Sequence, residues 1–154
     1  FAAKYGEKET ISAVERVGPR IFRLVEEVGE DGAPKAMKLM SRVGDDSIWI
    51  VARKRSMAIF LRHGDDAADA MLKHKEIAEG LIEQFGPASA RALKAIDGQN
   101  ARRLAMLAED GQLASISQRT ELLETIGKYG DGAMGWVWNN KGALATTAVI
   151  AKFS

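Results

Sequence analysis

Both histidines of the chain fall in one stretch, RHGDDAADAMLKH at 62–74, where Asp65, Asp66 and Asp69 stand between His63 and His74. Two imidazoles and three carboxylates are the donor set of a zinc or hard-cation site, or of an acid–base pair. A second stretch, GDGAMG at 130–135, spells the glycine pattern that seats a dinucleotide pyrophosphate. A third, WVWNNKGALATTAVIAKF at 136–153, sets Trp136 and Trp138 beside a weakly polar tail. A fourth, ARKRS at 52–56, with Arg62, Arg102 and Arg103 elsewhere, offers cations that phosphates could use.

Each of these has a competing explanation in the elements that carry it. The residues before GDGAMG, ELLETIGKY, are amphipathic with helical spacing, and only nineteen residues follow Gly135. A nucleotide fold needs a strand ahead of its glycines and an acid well beyond them, so the match reads as chance. Three consecutive bases on a helix fan around it, and no aromatic ladder accompanies ARKRS, which reads as solvated surface. Carboxylate pairs such as Glu26 with Glu30, or Glu109 with Asp110, lie beside helix ends. No Ser/His/Asp grouping, H-E-x-x-H or P-loop spelling occurs. On a helix Trp136 and Trp138 point about 200° apart. One is expected in the core and the other at a partner surface or membrane interface, which makes this pair the candidate partner contact.

Composition narrows the setting. The 154 residues fit one domain of ordinary size, and 46% apolar with 28% charged residues describes a globular chain. Twenty-two bases against twenty-one acids leave a net charge of +1, which gives no general drive toward nucleic acid. The absence of cysteine excludes disulfides, thiolate–zinc sites and cysteine nucleophiles. No run approaches the roughly 20 apolar residues that span a bilayer. A start at Phe1 rather than Met leads us to expect a processed product or a piece of a longer protein.

A short signature organises the chain: an apolar or aromatic residue, then glycine, then an acid or proline. It recurs at Gly6, Gly18, Gly29, Gly44, Gly64, Gly86 and Gly130. Two places before the glycine stands a base at Lys4, Arg16, Arg42, Arg62 and Lys128, with Glu27 and Gln84 the exceptions. The base suits the negative end of a closing helix, the glycine a left-handed residue beyond it, and the acid the cap of the next helix. LKHK at 72–75 resembles LRHG at 61–64 with Lys75 in the glycine slot, so a hidden break near His74 is predicted. Further breaks are predicted at AIDG (95–98) and AEDG (108–111).

Between breaks the apolar residues keep helical spacing. Ile11, Val14 and Val17 form one predicted face, Ile21, Leu24, Val25 and Val28 another. Met37, Met40 and Val43 form a third, and Ile77, Leu81, Ile82 and Phe85 a fourth. SIWIVA at 47–52 is rich in strand formers, but a lone strand leaves its backbone unpaired, so helix is expected. In the repeat, His63 fills the slot held elsewhere by Tyr5, Val17, Val28, Val43, Phe85 and Tyr129, and Asp65 that of Glu7, Glu30, Asp45 and Asp131. RHGDDAADAMLKH therefore reads as one helix with its stops rather than as a metal site.

The tandem pattern, clearest in GDDAADAMLKH and KYGDGAMGWVWNNKGALAT, resembles bacterial proteins built from Gly–Asp–x–Ala short-helix repeats. That resemblance covers most of the chain. It implies an exported or envelope-associated setting with a membrane segment following the repeats, and it brings no activity and no functional residue.

The expectation is one all-α domain over 1–154, with about ten short helices in a compact array or small solenoid. Its expected role is a non-enzymatic scaffold that binds a protein partner, without cofactor, metal or nucleic acid. A structural domain of an envelope protein, near a membrane at its C-terminal end, is the first alternative. A metal-dependent enzyme around His63 and His74 is the second.

Overall fold

The computed structural model describes residues 6–143 and 152–153, and every regular element among them is helical. In chain order the α-helices are α1 (Glu7–Val17), α2 (Ile21–Val28), α3 (Ala33–Val43), α4 (Ile48–Val51), α5 (Lys54–His63) and α6 (Asp65–His74). They continue as α7 (Glu76–Phe85), α8 (Pro87–Lys94), α9 (Gly98–Glu109), α10 (Gln112–Ser115), α11 (Arg119–Tyr129) and α12 (Asp131–Asn139). The expected all-α fold of short helices is what forms. The longest, α9, has 12 residues, at the lower limit of what holds together alone in water, so packing must supply the stability. Among the described residues no helix is long and apolar enough to cross a membrane.

The breaks fall where the signature places them. All seven of its glycines have positive φ, and so does Lys75, the one non-glycine residue among those described to do so. Helices also end before AIDG and within AEDG. The backbone there differs from the expected left-handed turn. Gly86 has φ 77° and ψ −159°, an extended mirror-image conformation that is essentially closed to side-chain-bearing residues. Among the described glycine joints only Gly111, with φ 77° and ψ 0°, is left-handed in the helical sense.

At Gly64, Lys75, Gly86 and Gly130 the consequence is a joint one residue long. The Gly86 N–H donates to the Ile82 carbonyl at 2.8 Å and closes α7, while its own carbonyl accepts from Ser89 N at 3.1 Å and opens α8. Lys75 does the same, donating to Met71 O at 2.8 Å and accepting from Glu79 N at 3.2 Å. Both polar groups of the joint are satisfied with no loop between helices. Because Lys75 and Gly130 are themselves the caps, Glu76 and Asp131 after them stand inside the next helix and act through its dipole rather than by capping it. The side-chain cap observed is that of Asp97, whose Oδ1 accepts from Asn100 N at 2.8 Å.

The helices gather into two compact units, Phe1–Gly64 and Asp65–Ser154. In the first, α1 and α2 pack on α3, and α4 packs on α5 and α2. Ile21, Met37, Met40 and Ile50 are fully enclosed at its centre. SIWIVA forms a 3-10 turn leading into α4, as helix rather than strand. The buried face of α1 is Thr10, Ala13 and Val17, not the predicted Ile11–Val14–Val17 stripe, and Ile11 is 49% exposed. The two stripes share Val17, and Thr10 can go inward because its hydroxyl donates to the Gly6 carbonyl at 2.8 Å.

In the second unit α8 is the hub, touching α6, α7 and α11, while α9 lies on α7, α10 and α12. Met71, Ile82, Leu93, Ile96, Leu104 and Ile126 are enclosed there. Where α8 crosses α11 the backbones approach closely. A Cβ on Gly127 would stand 3.4 Å from the Arg91 carbonyl.

Candidate functional site

The signature's base slot has a role that the sequence alone did not show. Arg16 reaches from the end of α1 to the end of α3, where its guanidinium donates to Arg42 O at 3.0 Å and Val43 O at 3.3 Å. Lys73, two places before the Lys75 joint, reaches from α6 to α8 and donates to Lys94 O at 2.9 Å. The base thus satisfies the last carbonyls of a neighbouring helix rather than only opposing the dipole of its own.

His74 joins in the same task. It is 9% exposed, and its Nε2 lies 2.7 Å from Leu93 O and 3.1 Å from Ile96 O. Both partners only accept, so this nitrogen carries the proton and donates to the two carbonyls. Burial lowers the His74 pKa from 6.5 and Lys73 adds to that, while the bonds to Leu93 and Ile96 and the charge of Asp97 oppose it. Beside it, Asp131 Oδ1 accepts from Asn100 Nδ2 at 2.8 Å and from Asp97 N at 2.9 Å. The Asn100 amide first, then the Asp97 N–H, hold the Asp131 carboxyl below its ordinary 3.8. The junction ties the ends of α6 and α8 to the starts of α9 and α12.

The candidates from RHGDDAADAMLKH divide accordingly. His63 is half-buried at the end of α5, in the first unit, whereas the rest of the set lies in the second. Asp66 and Asp69 share one cation, with Lys94 Nζ at 2.8 and 3.5 Å from their carboxylates. Asp66 and then Asp69 raise the Lys94 pKa. His74 spends its Nε2 proton on the two carbonyls. Among the described residues no three His, Asp or Glu side chains are grouped to hold a metal ion. GDGAMG straddles a helix–helix joint, with α11 running up to Gly130 and α12 starting at Asp131. Arg53 of ARKRS stacks on the Trp49 ring at 4.2 Å and donates to Ser56 Oγ at 3.3 Å.

Neither tryptophan of α12 is core. Val137 between them is buried, while Trp136 and Trp138 are each half-buried. Trp138 lies under Lys141 at 4.4 Å and near Arg103 at 5.6 Å. Trp136 meets the Phe153 ring edge-on at 6.5 Å, and Phe153 also meets Tyr129 at 5.5 Å. The residues of the predicted tail from 144 to 151 lie outside those described.

A groove that sequence reasoning missed runs between α7 and α9. Its floor is Ile77, Gly80 and Leu81 from one helix and Ala105 and Ala108 from the other, and this open groove has a volume of about 320 Å³. Its rim carries Glu76, Gln84 and Glu109. The signal was present as two helical stripes, at 76–77–80–81–84 and 105–108–109, but their pairing depends on which helices meet. No family model, curated protein or solved structure matches the chain.

Proposed function

We propose that this chain is a non-enzymatic helical interaction module, and that the α7–α9 groove receives a segment of a partner protein. The groove carries the reading. It leaves Ile77, Gly80, Ala105 and Ala108 half-buried between two helices whose Leu81, Ile82, Leu104 and Leu107 are buried. A concave apolar surface with a few polar groups at its edge is the usual form of a binding site. The polar junction around His74 supports the same reading, because its donors and acceptors are engaged with helix ends.

A photo-crosslinking residue at Gln84, on the rim, tests this in cells that make the protein. The expected result is a discrete adduct from position 84 that disappears when Gly80→Leu fills the floor. The same crosslinker at Glu121, an exposed position on α11, should give none. Equal labelling from both positions, or none from position 84, would overturn the reading.

A further inference from the structure

Neither space nor backbone conformation requires a glycine at position 80. It lies inside α7 with an ordinary negative φ, and a Cβ built on it would meet nothing within 4 Å. A glycine in a helix interior costs about 1 kcal/mol relative to alanine. Gly127, by contrast, would bring a Cβ into contact with the Arg91 backbone, and Gly86 is held by its positive φ. What Gly80 does is leave a notch in the groove floor.

The charged residues that line the groove, Glu76 and Glu109, are both acidic. Glu76 and Glu109 stand on the groove itself, and neither has an ion pair among the described residues. Glu109 stands at the negative end of the α9 dipole, which adds to its field, while Glu76 stands at the positive end of α7. From Glu76 to Gln84 the groove follows α7 for about 12 Å, at 1.5 Å per residue. A docked helix presents side chains at i, i+4 and i+7 over about 10 Å.

We infer that the occupant of the α7–α9 groove is an amphipathic α-helix of a partner protein, its apolar stripe over Gly80 and its flanks carrying lysine or arginine toward Glu76 and Glu109. This rests on the interaction-module reading and names the partner's chemistry. Apolar side chains fill the floor, the missing Gly80 side chain lets one of them approach the α7 backbone, and the flanking cations find unpaired carboxylates. An acidic helix would meet like charge along both rims.

The test uses the whole chain and two synthetic 18-residue helical peptides with the same Leu/Ala stripe, one flanked by Lys and the other by Glu. Fluorescence anisotropy at low salt should show the Lys peptide binding at least tenfold more tightly, with the preference shrinking as salt rises. Backbone amide shifts on binding should map to 76–84 and 105–109. Gly80→Leu should abolish binding with helicity unchanged. Gly80→Ala should raise Tm while weakening binding several-fold, opposite movements that mere loss of fold cannot produce. Glu76→Gln with Glu109→Gln should remove most of the preference for the Lys peptide. Equal binding of both peptides, binding that survives Gly80→Leu, or binding of neither overturns the inference. So does self-association of the chain that Gly80→Leu abolishes, because the occupant is then a second copy. A groove-specific crosslink persisting alongside any of these failures leaves the interaction reading standing, whereas loss of the crosslink removes both.

Discussion

His74 and His63 occupy equivalent places in the repeat, and the structure gives them different work. His74 donates to Ile96 O and to Leu93 O, which also accepts from Ile96 N at 3.4 Å. His74→Phe keeps the ring and removes the donor from both carbonyls, at a cost of about 1–3 kcal/mol. Because burial depresses the folded pKa below 6.5, the unfolded chain takes up the proton first. The stability owed to neutral His74 is therefore whole above pH 6.5 and is lost as pH falls from there through the folded value. Thermal melts between pH 8 and 5 should show that decline in the wild-type protein and a flatter profile in His74→Phe. An unchanged profile would mean that His74 is not the titrating group. His63 stands half-buried at the end of α5, so His63→Phe should shift stability by no more than about 0.5 kcal/mol, measured by denaturant melts. A larger loss would mean that its nitrogens are needed. The repeat slot told us that both histidines belong to helix ends. Which one donates to a neighbouring helix depends on contacts 19 and 22 residues away, beyond the reach of a local pattern.

At the scale of elements the breaks were the legible feature, because a one-residue joint leaves a chemical mark. Even the hidden break was visible, through the likeness of LKHK to LRHG. The ψ of the joint was not legible, since glycine accommodates the left-handed and the extended mirror-image forms equally well. The α1 face was misread because two apolar stripes overlap at Val17, and a threonine bonded to Gly6 O is as buriable as an isoleucine. Two joints test the geometry directly. Lys75 holds φ 56° and ψ −123°, so Lys75→Gly should relieve strain and stabilise by about 1 kcal/mol, less whatever its side chain contributes. Gly86→Ala has open space for its Cβ, so its penalty is conformational alone and should reach about 1–3 kcal/mol. Urea unfolding of both variants checks the pair. Changes of the same sign would show that φ is not what selects glycine at these breaks.

For the whole chain, the sequence repeats its punctuation through Gly64 without interruption, yet the contacts divide there into two compact units. The joint at Gly64 has φ 80° and ψ −157°, close to that at Gly86 inside the second unit. A boundary between units therefore carries no local mark, and only the choice of packing partners creates it. Within 65–154 the enclosed residues run from Met71 through Leu93, Leu104 and Leu113 to Ile126. The α6–α8 junction, with Lys73, His74 and the Leu93 to Lys94 carbonyls, is also internal to that segment. A core and a set of caps contained in one segment should fold without residues 1–64. Produced alone, 65–154 should be helical by circular dichroism and melt in one cooperative step. The α6–α8 link can be followed in it through His74: His74→Phe should lower the fragment's stability by the same amount as in the whole chain, since the sites on either side of Gly64 then act independently. A fragment that is unfolded, or one in which His74→Phe costs nothing, would show that the second unit takes its stability from residues before Asp65.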